Sequence, residues 1–252
     1  MDQTSLQATL DFIEHVALGS HDDLGKFEIT EALRNENNIA GVSARILCAL
    51  IDVPPVNQND VLESLLFAQL VASARVNAFE NPEQWYKEFS VSLSQLYWMN
   101  IDGPLELHKA SLSSTNVSVS QIVLDFMKDV KDAEGAARLV ETMKKLPPND
   151  RLPKIFNSLG AQRNTSIFQL STVKPVGRNV ALVSGAFHAN SNKSVDQVLF
   201  AELSNDNSHF FQGHFSSILN VGLYAGVRKA VKKRLSDRIP NYIQKEPLVD
   251  EA

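Results

Sequence analysis

Residues 61–76 constrain this chain more than any other stretch. Val61, Leu62, Leu65, Leu66, Phe67, Leu70, Val71 and Val76 fall on nearly every face of a helix. A surface helix carries one apolar stripe, whereas a helix apolar all round has to be covered on most sides. Other elements must therefore surround it, and the spacing places it at the centre of a helical assembly. Asn57 to Asp60 start it. The longest strongly apolar run, residues 65–74, is interrupted by Gln69 and Ser73. A bilayer-spanning helix needs about 20 apolar residues, so no membrane span is expected.

Flanking signals extend the helical reading. Thr4 or Ser5 caps a helix to about Leu18, with Leu6, Leu10, Ile13, Val16 and Ala17 as its stripe. A short helix is expected over residues 29–34. Ile39, Val42, Ile46, Leu47 and Leu50 repeat at helical spacing, which predicts a helix over residues 39–51 stopped by Pro54-Pro55. Asn81-Pro82-Glu83 combines a capping residue, a first-turn proline and an acid, and starts a helix to about Met99. Residues 105–112 alternate partly and read as a strand. Ser118 or Ser120 and then Asp132 open two more helices, and residues 152–159 form a last short one.

The character changes after Gly160. Residues 165–173, 179–189, 195–204 and 209–216 are short runs rich in Val, Phe and Leu, separated by Pro175-Val176-Gly177, Asn190-Ser191-Asn192 and Asn205-Asp206-Asn207. Such runs joined by turn residues predict an antiparallel meander. Asn220 begins a final helix to about Leu235, with Val221, Tyr224, Val227, Val231 and Leu235 on one face. Pro240 interrupts, and Tyr242-Ile243 packs back. The expected fold is α+β in one domain over residues 1–252. It has a helical part over 1–160, a four-stranded antiparallel meander packed by a C-terminal helix over 161–246, and a polar tail over 247–252.

Charge is unevenly distributed. The net charge is −5, but residues 1–60 carry ten acidic and three basic side chains and residues 220–246 carry seven basic and two acidic ones. The final helix sets Arg228, Lys229, Lys232, Lys233 and Arg234 opposite its apolar face. These five are the candidate contact with an anionic surface, giving weak electrostatic membrane contact at most. Overall acidity and the lack of any recognition motif argue against nucleic acid.

The usual catalytic signatures do not occur. There is no P-loop, dinucleotide glycine fingerprint, His-Glu-x-x-His or Gly-x-Ser-x-Gly. Ser184 lies in a predicted strand without the first glycine of an elbow. His188, His209 and His214 share the sheet region, but the five-residue step from His209 to His214 places that pair on opposite strand faces. Cys48 is the one cysteine and sits in an apolar stretch, as a small hydrophobe does. Trp85, Tyr86, Tyr97 and Trp98 read first as core and second as the lining of an acyl pocket. No catalytic residue, metal site or cofactor is expected. The acidic start lacks the basic region of a secretory signal. A reducing cytoplasm fits, and export without a cleaved signal stays open.

Two stretches carry a family resemblance. One is Leu66-Phe67-Ala68-Gln69-Leu70-Val71-Ala72-Ser73, followed by Glu83-Gln84-Trp85-Tyr86 and Tyr97-Trp98. The other is Val198-Leu199-Phe200, Leu219-Asn220 and residues 224–235. Together they resemble the Erwinia virulence factor group and the small accessory proteins encoded beside the motility-associated killing factor, a bacterial cytotoxin. The resemblance implies a virulence-associated, non-enzymatic protein acting by contacts, with proteins of a toxin locus as partners. It also implies a fatty-acylated cysteine in the C-terminal half. This chain has no cysteine after Cys48, so no functional residue is carried over. The alternative is a lipid- or fatty-acyl-binding protein using the basic amphipathic C-terminal helix. Oligomeric state is not legible.

Overall fold

A computed structural model describes residues 3–19, 38–42, 45–103, 105–110, 116–148, 150, 152–153, 156–157, 161–162, 164–190, 198–204, 208–236, 238–239 and 243–247. The elements in chain order begin with α1 (Gln3–His15), β1 (Asn38–Val42), β2 (Ile46–Leu50), α2 (Pro55–Arg75), α3 (Pro82–Gln95) and β3 (Trp98–Asn100). Next come β4 (His108–Lys109), β5 (Asn116–Ser118), α4 (Val119–Asp129), α5 (Ala133–Lys145) and β6 (Ala161–Gln162). The chain continues through β7 (Thr165–Val176), β8 (Asn179–Asn190), β9 (Glu202–Ser204), β10 (His209–Leu219), α6 (Val221–Tyr224), α7 (Arg228–Leu235) and β11 (Ile243–Pro247).

A mixed sheet organises the molecule. Its order is β11-β1-β2-β7-β8-β10-β3, with β4 also pairing β10 and β6 pairing β7. Every pairing is antiparallel except β2 with β7, which is parallel. Helices cover both faces. Ile46, Cys48, Leu50, Ile167 and Val173 pack with α1, α2, α3, α6 and α7, whereas Leu47, Ala49, Phe168 and Leu170 pack with α4, α5, Leu152 and Phe156. Alternate residues of one strand thus enter opposite cores.

This architecture overturns the expected helical two-thirds followed by a four-stranded meander. The expected helix over residues 39–51 is instead the β1–β2 hairpin. All ten residues of the two strands are buried. A strand covered on both faces needs apolar residues at every position and loses its two-residue alternation. The remaining spacing imitates a helix. Close packing is visible at Gly41, where an added Cβ would collide with the Leu152 side chain.

The meander is also smaller than expected. β7, β8 and β10 form it, joined first by a tight turn in which Gly177 takes φ +58°. That left-handed conformation is what tight hairpin connections favour glycine for. Of residues 195–204 only β9 is a described strand, and it pairs β5 in a separate two-stranded sheet. Of residues 105–112 only β4 is a strand. The helix after Asn81 stops at Gln95, and Trp98 begins an edge strand. The final helix is broken at residues 225–227. Its first part, α6, packs on β8 and α2 as expected of a helix docked on the sheet, whereas α7 packs on α1 and α2. Residues 29–34 and 248–252 lie outside the described residues.

Helix α2 is central, as its composition requires. Every residue from position 60 to position 72 is buried. Within it, Ser64 Oγ donates to Val61 O (2.8 Å) and accepts from Trp98 Nε1 (2.9 Å). Across the core, Tyr86 Oη sits 3.0 and 3.2 Å from the carbonyls of Phe168 and Phe187, which face each other on β7 and β8. Leu66 and Leu70 are fully buried, so Leu66→Ala or Leu70→Ala should each destabilise the fold by about 2–5 kcal/mol. Urea denaturation checks this, and a change below roughly 0.5 kcal/mol at both positions would make α2 peripheral.

Candidate functional site

The basic helix divides into two classes of side chain. Asn220 caps α6 by accepting from Leu223 N (3.0 Å), and Tyr224, Val227, Val231 and Leu235 turn inward. Arg228 then reaches Asp60 on α2, with Nε 2.5 Å from Oδ1 and Nη2 2.6 Å from Oδ2. Asp60 is buried, and its hydrogen bonds raise the Arg228 pKa further. Arg234 Nη2 donates to Val16 O (2.9 Å) on the chain leaving α1. Lys229, Lys232 and Lys233 remain exposed. Of the five predicted contact residues, two arginines hold α7 to its neighbours and three lysines face solvent.

Of the other sequence candidates, Cys48, Ser184 and His188 are buried in the sheet. Cys48 is buried in β2, and desolvation pushes its thiol pKa up. Ser184 Oγ lies 2.8 Å from Ser171 Oγ directly across the β7–β8 ladder. His188 is buried against the Phe211 ring at 5.7 Å between centroids, and burial lowers its pKa. His209 and His214 are exposed. Among the described residues, no three His, Cys, Asp or Glu side chains converge as a metal site. Trp85, Tyr86 and Trp98 are core residues. Among the described residues no helix is long and apolar enough to cross a membrane.

A site the sequence reading missed lies where the β1–β2 turn meets the end of α2. Arg45 is only 7% exposed. Its guanidinium carbon sits 5.2 Å from the Phe79 ring centroid and 5.5 Å from that of Trp85. Its one side-chain hydrogen bond among the described residues runs from Nη1 to Ser73 Oγ (3.2 Å), and Nε is buried without a partner. Ser73 Oγ also accepts from Trp85 Nε1 (3.0 Å). Burial lowers the Arg45 pKa to about 10, against a smaller opposing effect of Tyr86. A cavity of about 350 Å³ opens here, lined by Arg45, Ser73, Arg75 and Asn77 among others. Arg75 is held by Glu88 at 2.7 Å.

The polar character continues beneath the cavity. Gln69 Nε2 donates to Val42 O (3.0 Å) while its Oε1 is buried without a partner. Gln169 donates its backbone N–H to Arg45 O (2.6 Å), and neither polar atom of its side chain has a partner. The sequence does hold a signal for this site. Arg45 is the only charged residue between Glu36 and Asp52, inside an otherwise apolar run.

No family model and no curated protein matches the sequence. Among solved structures, the chain is similar to a delta-endotoxin (10% identity, 79% of this chain and 90% of that one, TM-score 0.34). It is similar to the Evf virulence factor (11% identity, 98% and 99%, TM-score 0.35). It is also similar to activated Cyt2Ba from Bacillus thuringiensis subsp. israelensis (10% identity, 65% and 88%, TM-score 0.26). Likeness at this level carries no functional assignment.

Two predictions follow from the geometry. Arg228→Met leaves Asp60 buried without its partner, which costs about 3–5 kcal/mol for a fully buried pair. The Arg228 side chain is 33% exposed, so a loss on the order of 2–3 kcal/mol is expected, against roughly zero for Lys232→Gln. Equal losses in chemical denaturation would contradict this division of the helix. For His188, the native pKa lies below the ordinary 6.5, so its contribution to stability is present above that value and is lost as pH falls through the native pKa. His188→Gln should flatten the decline in thermal midpoint on the acid side of neutrality. An unchanged slope would show that His188 does not drive it.

Proposed function

We propose that this chain is a non-enzymatic accessory protein of a bacterial toxin locus that acts by binding other proteins. The observation supporting this reading is where the residues that carry the resemblance sit. Trp85 and Trp98 commit their indole N–H groups to Ser73 and Ser64. Tyr86 lies within hydrogen-bonding distance of two sheet carbonyls, Leu66 and Leu70 fill the centre of α2, and Arg228 holds α7 to α2. A pattern committed to holding layers together maintains a shape. The work then falls to the surface that the shape presents.

On that surface, Lys229, Lys232 and Lys233 form a row on α7 that suits an anionic partner. The apolar face of the same helix is already in the core, because Val227, Val231 and Leu235 are fully buried. Contact through the lysines is therefore electrostatic and sensitive to salt. Mixing the purified chain with the other proteins of its locus should give a complex on size exclusion. Lys229→Gln, Lys232→Gln and Lys233→Gln together should weaken that complex about tenfold at low salt, with a smaller effect at high salt. Two results would overturn the reading. One is turnover of a substrate by the pure chain, abolished by a single substitution. The other is salt-resistant binding to neutral vesicles, which requires a free apolar face and would favour lipid binding.

A further inference from the structure

We propose that the cavity at the C-terminal end of α2 binds a small carboxylate, with Arg45 as its anchor and the Ser73 hydroxyl as a second donor. Arg45 is buried, it lines the cavity, and it has no carboxylate partner among the described residues. Elsewhere in the same chain, an arginine in the company of a buried carboxylate adopts a two-point pairing. Arg228 presents Nε and Nη2 side by side to the two oxygens of Asp60. In Arg45 the hydrogen bond to Ser73 uses Nη1, and the buried Nε has no partner among the described residues. A planar carboxylate is the anion that a guanidinium pairs with best in geometry and charge.

Ser73 adds the second donor. Its oxygen accepts from both Arg45 and Trp85, so its own proton is directed to neither of them. The rings of Phe79 and Trp85 fix the guanidinium from their faces, which limits the reorganisation on binding.

The charge balance favours one negative charge over two. Arg45 supplies a full positive charge. Arg75 is already engaged by Glu88, and the C-terminal end of α2 contributes roughly half a negative charge. A dianionic phosphate would therefore be left with more uncompensated charge than a carboxylate.

The two tryptophans provide the test. Trp85 donates its indole N–H to Ser73 in the site, and Trp98 donates to Ser64 in the core. The native chain, labelled with nitrogen-15, is titrated with sodium acetate at constant ionic strength. Sodium chloride is the control and inorganic phosphate the second arm. The Trp85 indole and Arg45 Nε–H signals should shift saturably with acetate, while the Trp98 indole stays in place. Ser73→Ala should weaken acetate binding about tenfold, and Arg45→Lys, which keeps the charge but loses the fork, by at least about tenfold. If Arg45→Lys does not fold, Ser73→Ala and the native titration still decide. Shifts no larger than those in chloride would overturn the site. Phosphate binding as tight as acetate would overturn the carboxylate assignment. Full affinity in Ser73→Ala would overturn the role of Ser73.

Discussion

The parallel ladder between β2 and β7 is the constraint from which the layered arrangement follows. Parallel neighbours cannot be joined by a tight turn, so the chain must leave one end of the sheet and return to the other. Here the excursion runs from Leu50 to Thr165. It places α2 and α3 on one face and α4 and α5 on the other before β7 returns beside β2. β1, β2 and most of β7 are then covered on both faces. That double covering sets the composition of β1, β2 and the start of β7, and it gives α2 its sheet-facing partner. The remaining sides of α2 are closed by α1, α3 and α7. An all-apolar helix is stable here because no side of it is left to water.

The same constraint explains what could be read from the sequence. Local chemistry was legible. Asn81 accepts from Gln84 N and Ser118 from Gln121 N, each at the helix start that its residue type announces. Asn220 does the same before α6. The turn between β7 and β8 falls at Gly177, as expected. β1 and β2 were not legible, because burial on both faces erased the alternation that identifies a strand. The helical reading at residues 39–51 failed for a tertiary reason that no local window contains. Ile39, Val42 and Ile46 are β-branched and sit beside Gly41. That composition favours a strand, but the apparent helical spacing masked it.

Long-range polar pairing was hidden in a similar way. The basic face of α7 reads as five equivalent charges along a helix. The difference between Arg228 and Lys229 comes from Asp60, which lies 168 positions earlier in the chain. Asp132 is an instructive contrast: its position before α5 suggests a cap, yet its side chain makes no capping hydrogen bond. Burial instead raises its pKa. A residue type announces what a side chain can do, and the fold decides which of those capacities is used.

The two arginine environments show how far that decision reaches. Removing a charge from water is costly unless a partner replaces the lost hydration. At Asp60 and Arg228 the replacement is complete on the carboxylate side, with both oxygens held at hydrogen-bonding distance. At Arg45 it is distributed over two aromatic faces, one serine oxygen and the carbonyl end of α2. Each of these offsets part of the desolvation, and the lowered pKa of the guanidinium records that the offset is incomplete. Because the deficit lies on a guanidinium that lines a cavity, an oxygen anion bound there relieves it most directly. The folding problem at Arg45 and the recognition chemistry of the cavity are therefore the same unsatisfied interaction.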